Sequence, residues 1–163
     1  MVVLAHIMER TLEQMVRVVD EMLDLQESLR NALFEREWVE VEEKVTALLE
    51  KSQALQMLEE DRTRVYAELL AELELPPDTP LRTALRYIDP PEAQGIEDVA
   101  GRLRERLFRV RGLGEVIARY AEASYAAVYA CLRDLFPDRF LGGYGKDGRR
   151  SQSESSLLID TRL

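Results

Sequence analysis

Residues 96–136 read IEDVAGRLRERLFRVRGLGEVIARYAEASYAAVYACLRDLF. Within them Leu103, Leu107, Val110, Ile117, Ala121, Ser124, Val128, Cys131 and Leu135 recur at steps of three and four, and Gly114 fills the one gap. That is the period of an α-helix with a single apolar stripe. At 1.5 Å per residue such a helix is roughly 60 Å long. Its stripe has to lie against other helices or against a partner. Working outward from it, the chain reads as all-α: an elongated antiparallel bundle of three long helices with a short crossover helix over residues 1–137, then a flexible tail over 138–163.

The totals support this reading. A chain of 163 residues, 46% hydrophobic and 33% charged, has enough apolar surface for one folded domain. Leu, Ala, Glu and Arg dominate, and no run alternates in the manner of a strand. The net charge is −9. It is concentrated in residues 1–75, where 8 Lys/Arg face 18 Asp/Glu. Such a surface argues against binding nucleic acid or anionic lipid by simple electrostatics, and favours solubility or a basic partner. Cys131 is the one cysteine, so no disulfide forms within the chain. MVVLAHIMER at the start lacks the basic lead and apolar length of a signal peptide. No stretch reaches the length and apolarity of a membrane span, so no membrane insertion is expected. Met8 offers a second candidate start, with residues 1–7 an upstream extension.

The first helix is predicted over Thr11–Phe34, with Thr11 as its cap. Leu12, Met15, Val19, Met22, Leu29 and Leu33 form its stripe, and Gln26 is the one polar member. Loss of phase at Glu35-Arg36-Glu37 marks a turn. The second helix is predicted over Trp38–Leu73, with Trp38, Val41, Val45, Leu48, Leu55, Leu58, Val65 and Leu69 inward. Ser52 and Arg62 interrupt that stripe, and the glutamates beside it read as a solvated face. Leu75-Pro76-Pro77-Asp78-Thr79-Pro80 breaks the helix. Pro80 then opens a short helix that Asp89-Pro90-Pro91 ends. The long helix starts near Glu92–Glu97. Gly101, Gly112 and Gly114 inside it read as points of close helix approach or a kink, with a hinge as the alternative. Its arginines are expected to pair with acids of the first two helices.

Catalytic chemistry is absent from the pattern. His6 is the only histidine, and no His/Cys/carboxylate group has metal-ligand spacing. Cys131 reads as a small buried apolar residue. Gly142-Gly143-Tyr144-Gly145-Lys146 lacks the spacing of a phosphate loop. The chain therefore reads as no enzyme, with no cofactor, metal or catalytic residue.

The layout resembles the FlgN family of flagellar type III export chaperones. The likeness rests on two long leading helices joined by Leu-Phe-Glu-Arg-Glu-Trp, where the family often has a Gly-Asp turn. The run VEEKVTALLEKSQALQMLEEDR follows, then the Leu-Pro-Pro break, one long C-terminal helix, GYGKDGR in the tail, and the terminus SSLLIDTRL. The resemblance implies a cytoplasmic, non-catalytic chaperone. Such proteins bind hook-associated (hook–filament junction) proteins by their terminal helices and deliver them to the flagellar export gate. A substrate helix can lie along exposed apolar helix surface, anchored at i, i+3, i+4 and i+7. On this chain the expected anchors are Tyr125, Val128, Tyr129, Leu132, Leu135 and Phe136. Tyr144, Leu157, Leu158 and Ile159 in the tail would contact a partner or fold back as placeholders. The competing expectation is that all of these are core, Tyr129 and Phe136 fitting that reading least well. The rival functions are a self-assembling coiled-coil bundle, a homo-oligomer; a helical enzyme; and an adaptor of another secretion system.

Overall fold

The computed structural model describes residues 2–135. Helix α1 is Val2–Glu35, α2 is Trp38–Glu72, α3 is the single turn Leu81–Ala84, and α4 is Pro90–Leu135. A 3-10 turn, Leu85–Tyr87, continues α3. The described residues include no strand, so the all-α expectation holds. By compactness the chain divides into a unit Met1–Arg119 and a unit Tyr120–Leu163. The tail expected over 138–163, with Tyr144 and Leu157–Ile159, lies outside the described residues, as does Phe136.

In the first unit α1 and α2 form an antiparallel hairpin, and Lys51 of α2 ion-pairs with Glu21 of α1. The first part of α4 runs parallel to α1. Gly95 stands against Glu9, Arg106 Nε lies 2.7 Å from Asp20 Oδ1, and Gln26 Nε2 donates to the Val110 carbonyl at 3.2 Å, with Gly114 beside the same amide. In each case the α4 number exceeds its α1 partner's by between 84 and 88. A constant offset is the signature of two helices rising side by side, so the arrangement is up-down-up rather than antiparallel throughout. The Arg106 contact is a charge contact only, since no acceptor is aligned with its N–H.

The core joins Ala5, Met8, Leu12, Met15, Val16 and Val19 of α1 to Val65 and Leu69 of α2, Leu85 and Ile88 of the crossover, and Ile96, Val99 and Leu103 of α4. Thr11 therefore does not cap α1. It lies in mid-helix, nearly buried, and its hydroxyl donates to the Ile7 carbonyl. The reason is that Ala5 and Met8 extend the Leu12–Met15–Val19 stripe backward in phase, so the helix gains burial by starting at Val2. Pro80 precedes α3 in extended geometry instead of occupying its first helical position. Pro90 and Pro91, expected to precede the long helix, form its first turn, where the missing N–H groups have no helical partner. Open space surrounds Gly101 and Gly112, so neither serves a close approach; Gly114 alone of the three abuts another helix.

The C-terminal ends of α1 and α2 are closed by the same device. At the α1–α2 turn the Glu37 N–H reaches the Ala32 carbonyl and the Arg36 N–H reaches Leu33. After α2 the Leu75 N–H reaches Leu70 and the Glu74 N–H reaches Ala71. These are paired six-to-one and five-to-two closures, which need one residue in the left-handed region. Arg36 at φ 60° and Glu74 at φ 55° supply it, although glycine adopts that conformation without strain. Tyr66 ties α2 to the crossover by donating its hydroxyl to the Thr79 carbonyl at 2.6 Å.

Replacing Arg36 with Gly should therefore stabilise the fold by about 1 kcal/mol, read as a raised midpoint in urea. A second expectation concerns Glu59 and Arg62, joined by a hydrogen bond of 2.7 Å. That hydrogen bond holds the Glu59 carboxyl below its ordinary 4.5, against a smaller opposing effect of burial. A depressed carboxylate stabilises the fold above the unfolded-state value and loses that contribution as pH falls through the folded value. The stability difference between the parent and Arg62→Gln should be present at pH 7 and vanish in acid melts below the Glu59 titration.

Candidate functional site

The segment 120–135 of α4 is rich in alanine, at 121, 123, 126, 127 and 130, and contains no Gly or Pro. Alanine is the strongest helix former, which favours helix here even where few side chains are buried. Every described side chain from 120 to 135 is exposed or half-buried. Tyr125, Val128, Tyr129, Leu132 and Leu135 fall at i, i+3, i+4, i+7 and i+10, on one side of the helix. Tyr125 and Leu135 are 72% and 70% exposed, with Val128, Tyr129 and Leu132 also exposed. The Tyr125 and Tyr129 rings stack, their centroids 6.3 Å apart. The opposite side carries Ala123, Ala126, Ala127 and Ala130. A bulky apolar ridge thus faces a flat alanine side, a shape suited to lying in or along a groove.

The structure therefore brings five of the sequence-predicted residues to one exposed face; the other five lie outside the described residues. It corrects three expectations. Cys131 is exposed, not buried. Of the long apolar stripe, only Leu103 is buried; Leu107, Val128 and Leu135 are exposed. The amphipathic period continues beyond the part of α4 that the first unit buries. Nor do the arginines of α4 pair as a set with the first two helices: Arg106 meets Asp20, whereas Arg111 pairs with Glu115 on its own helix.

A second exposed apolar surface escaped the sequence reading. Trp38 and Val45, assigned to the buried stripe of α2, are exposed, as are Phe34, Val39 and Leu49. Only Val65, Leu69 and Leu70 of α2 are buried. The available signal was the acidic flank of this stretch: Glu35, Glu37, Glu40, Glu42 and Glu43 crowd the turn. The Glu37 carboxyl is held above its ordinary value, first by its hydrogen bond with Glu40 and then by the charges of Glu35 and Glu40. Among the described residues, no group of three or more His, Cys, Asp or Glu could hold a metal ion. No helix among them is long and apolar enough to cross a membrane.

The described residues are built of helices and turns and carry an exposed apolar face on α4. Residues 1–152 match the FlgN family, described as FlgN protein, and the chain belongs to that family. The family is one of flagellar export chaperones rather than enzymes. No curated protein and no solved structure matches the chain significantly.

Because the ridge is exposed, Val128→Ala and Leu132→Ala should each shift folding stability by no more than about 0.5 kcal/mol. Leu69→Ala, in the core at 0% exposure, should cost about 2–5 kcal/mol. Urea denaturation of the three variants side by side checks both.

Proposed function

We propose that this chain is a cytoplasmic export chaperone that captures a hook-associated flagellar protein and delivers it to the export gate. The capture surface is the ridge Tyr125, Val128, Tyr129, Leu132 and Leu135, continued by Phe136, with Tyr144, Leu157, Leu158 and Ile159 of the tail as further contacts. The observation that carries the reading is the exposure of that ridge in a member of this family. Proteins of this size seldom leave a run of large apolar side chains in water without an interaction to make. A substrate's amphipathic terminal helix, left free, would pair with its own kind too early. Laid against the ridge, it has its apolar stripe covered until it is handed on.

The ridge supplies the affinity by apolar burial. Covering a Leu or Val side chain fully is worth about 1.5–3 kcal/mol. Part of that is offset by the loss of rigid-body and side-chain freedom on binding. Near the end of the ridge Arg133 and Asp134 lie 3.6 Å apart, and Glu122 stands three residues before Tyr125.

Combining Val128→Ala with Leu132→Ala should weaken binding of purified hook-associated protein about tenfold or more in calorimetry, with the melting temperature unchanged. Unaltered affinity would remove the ridge from the capture surface. Removing residues 138–163 should weaken binding further, and unaltered affinity would remove the tail from the capture surface.

A further inference from the structure

The α4 ridge leaves unused the exposed apolar strip on the first half of α2. Trp38, Val45 and Leu49 lie at i, i+7 and i+11, within about 40° of one another around the helix at 3.6 residues per turn. They span about 17 Å along its axis. They are 63%, 42% and 61% exposed. Phe34 and Val39 add exposed apolar surface beside the turn. The hairpin is nonetheless packed at this end, since Leu29 and Ala32 of α1 are buried there. The strip is therefore a face the hairpin leaves uncovered.

Its surroundings are acidic. Glu35, Glu37, Glu40, Glu42, Glu43 and Glu50 border it, against Arg36, Lys44 and Lys51; Lys44 is engaged by Glu40 at 3.8 Å and Lys51 by Glu21 of α1. Like charges at this spacing repel, and Arg36 in the turn is held in the left-handed region. Apolar exposure, charge crowding and backbone strain each cost stability, and all three fall on one short stretch.

We infer that the Trp38–Val45–Leu49 strip is a second docking surface, separate from the α4 ridge, whose occupant is an amphipathic helix of a partner protein with Lys or Arg flanking its apolar stripe. Charge complementarity selects that occupant. A basic-flanked helix buries the strip and neutralises the glutamates together. An acidic or uncharged one leaves them crowded in a drier setting, at a higher cost. A second copy of this chain, at net charge −9, brings overall repulsion. Two surfaces on one small protein would let it hold one partner while being held by another.

Trp38 is the only tryptophan, so its fluorescence reports on this strip directly. The probes are two designed amphipathic peptides of about 18 residues, long enough to be helical in isolation. One is built of Leu and Lys, the other of Leu and Glu. With the full chain, the Leu/Lys peptide should move Trp38 emission to the blue and protect it from acrylamide, an effect that weakens with added salt. The Leu/Glu peptide should do neither. Val45→Asn with Leu49→Asn, both exposed positions, should weaken the Leu/Lys effect about tenfold while circular dichroism melts stay matched. Val128→Ala with Leu132→Ala should leave it unchanged, which separates this surface from the capture ridge. The inference is overturned if the Leu/Lys peptide leaves Trp38 unaltered, if both peptides act equally, or if the α2 double variant responds like the parent. It is also overturned if the free chain's Trp38 is already shielded in a concentration-dependent way, for then a second copy covers the strip.

Discussion

The packing of Ile96, Val99 and Leu103 into the cluster formed by α1 and α2 is the contact on which the first unit depends. Without those three residues, α1 and α2 would be a two-helix hairpin with one apolar face open along Ala5–Val19. With them, Met8, Val19, Leu69 and Ile96 reach complete burial. The crossover is shaped to deliver α4 to that place. Leu85 and Ile88 join the same cluster, and Pro90 and Pro91 start the new helix immediately afterward. The constant offset between α1 and α4 follows from this docking, and Arg106–Asp20 and Gln26–Val110 hold it farther along.

Gln26 shows how the register is specified. Its side chain is 9% exposed, its amide donates to Val110, and its Oε1 has no partner. A buried polar group with one satisfied half is destabilising relative to a hydrocarbon of the same shape. It also penalises any sliding of α4 along α1, because a shifted helix would leave both halves unsatisfied. Gly114 lies 3.3 Å from the amide when given a Cβ, so a larger residue there would crowd the contact.

Much of this was legible in the sequence. The proline breaks at Leu75–Pro80 and Asp89–Pro91 mark where α2 gives way to the crossover and the crossover to α4, although α1 and α4 both start earlier than expected. The turn at Glu35–Glu37 was legible only as a loss of phase, since Arg36 occupies a position where glycine would have announced it. Burial was harder to read than period. Val45, Leu49 and Val128 have the spacing of core residues and are exposed, because a heptad states which residues share a face and not whether another helix covers it. Thr11 was misread for a related reason. A capping residue type ahead of an apolar run is informative only when the stripe does not continue behind it, and here Ala5 and Met8 continue it. The candidate ridge at Tyr125–Leu135 was found through its dense aromatic and small-residue composition. The α2 strip was missed because Trp38 and Val45 fitted a buried pattern.

Residues 120–135 of α4 are proposed as the capture surface for a hook-associated flagellar protein. Amide hydrogen exchange of the full chain, alone and saturated with such a protein, tests it most directly. New protection is expected over residues 120–135, with exchange at 5–19 and 96–103 unchanged because those amides already lie in packed helix. Binding that leaves 120–135 exchanging as fast as in the free chain would contradict it.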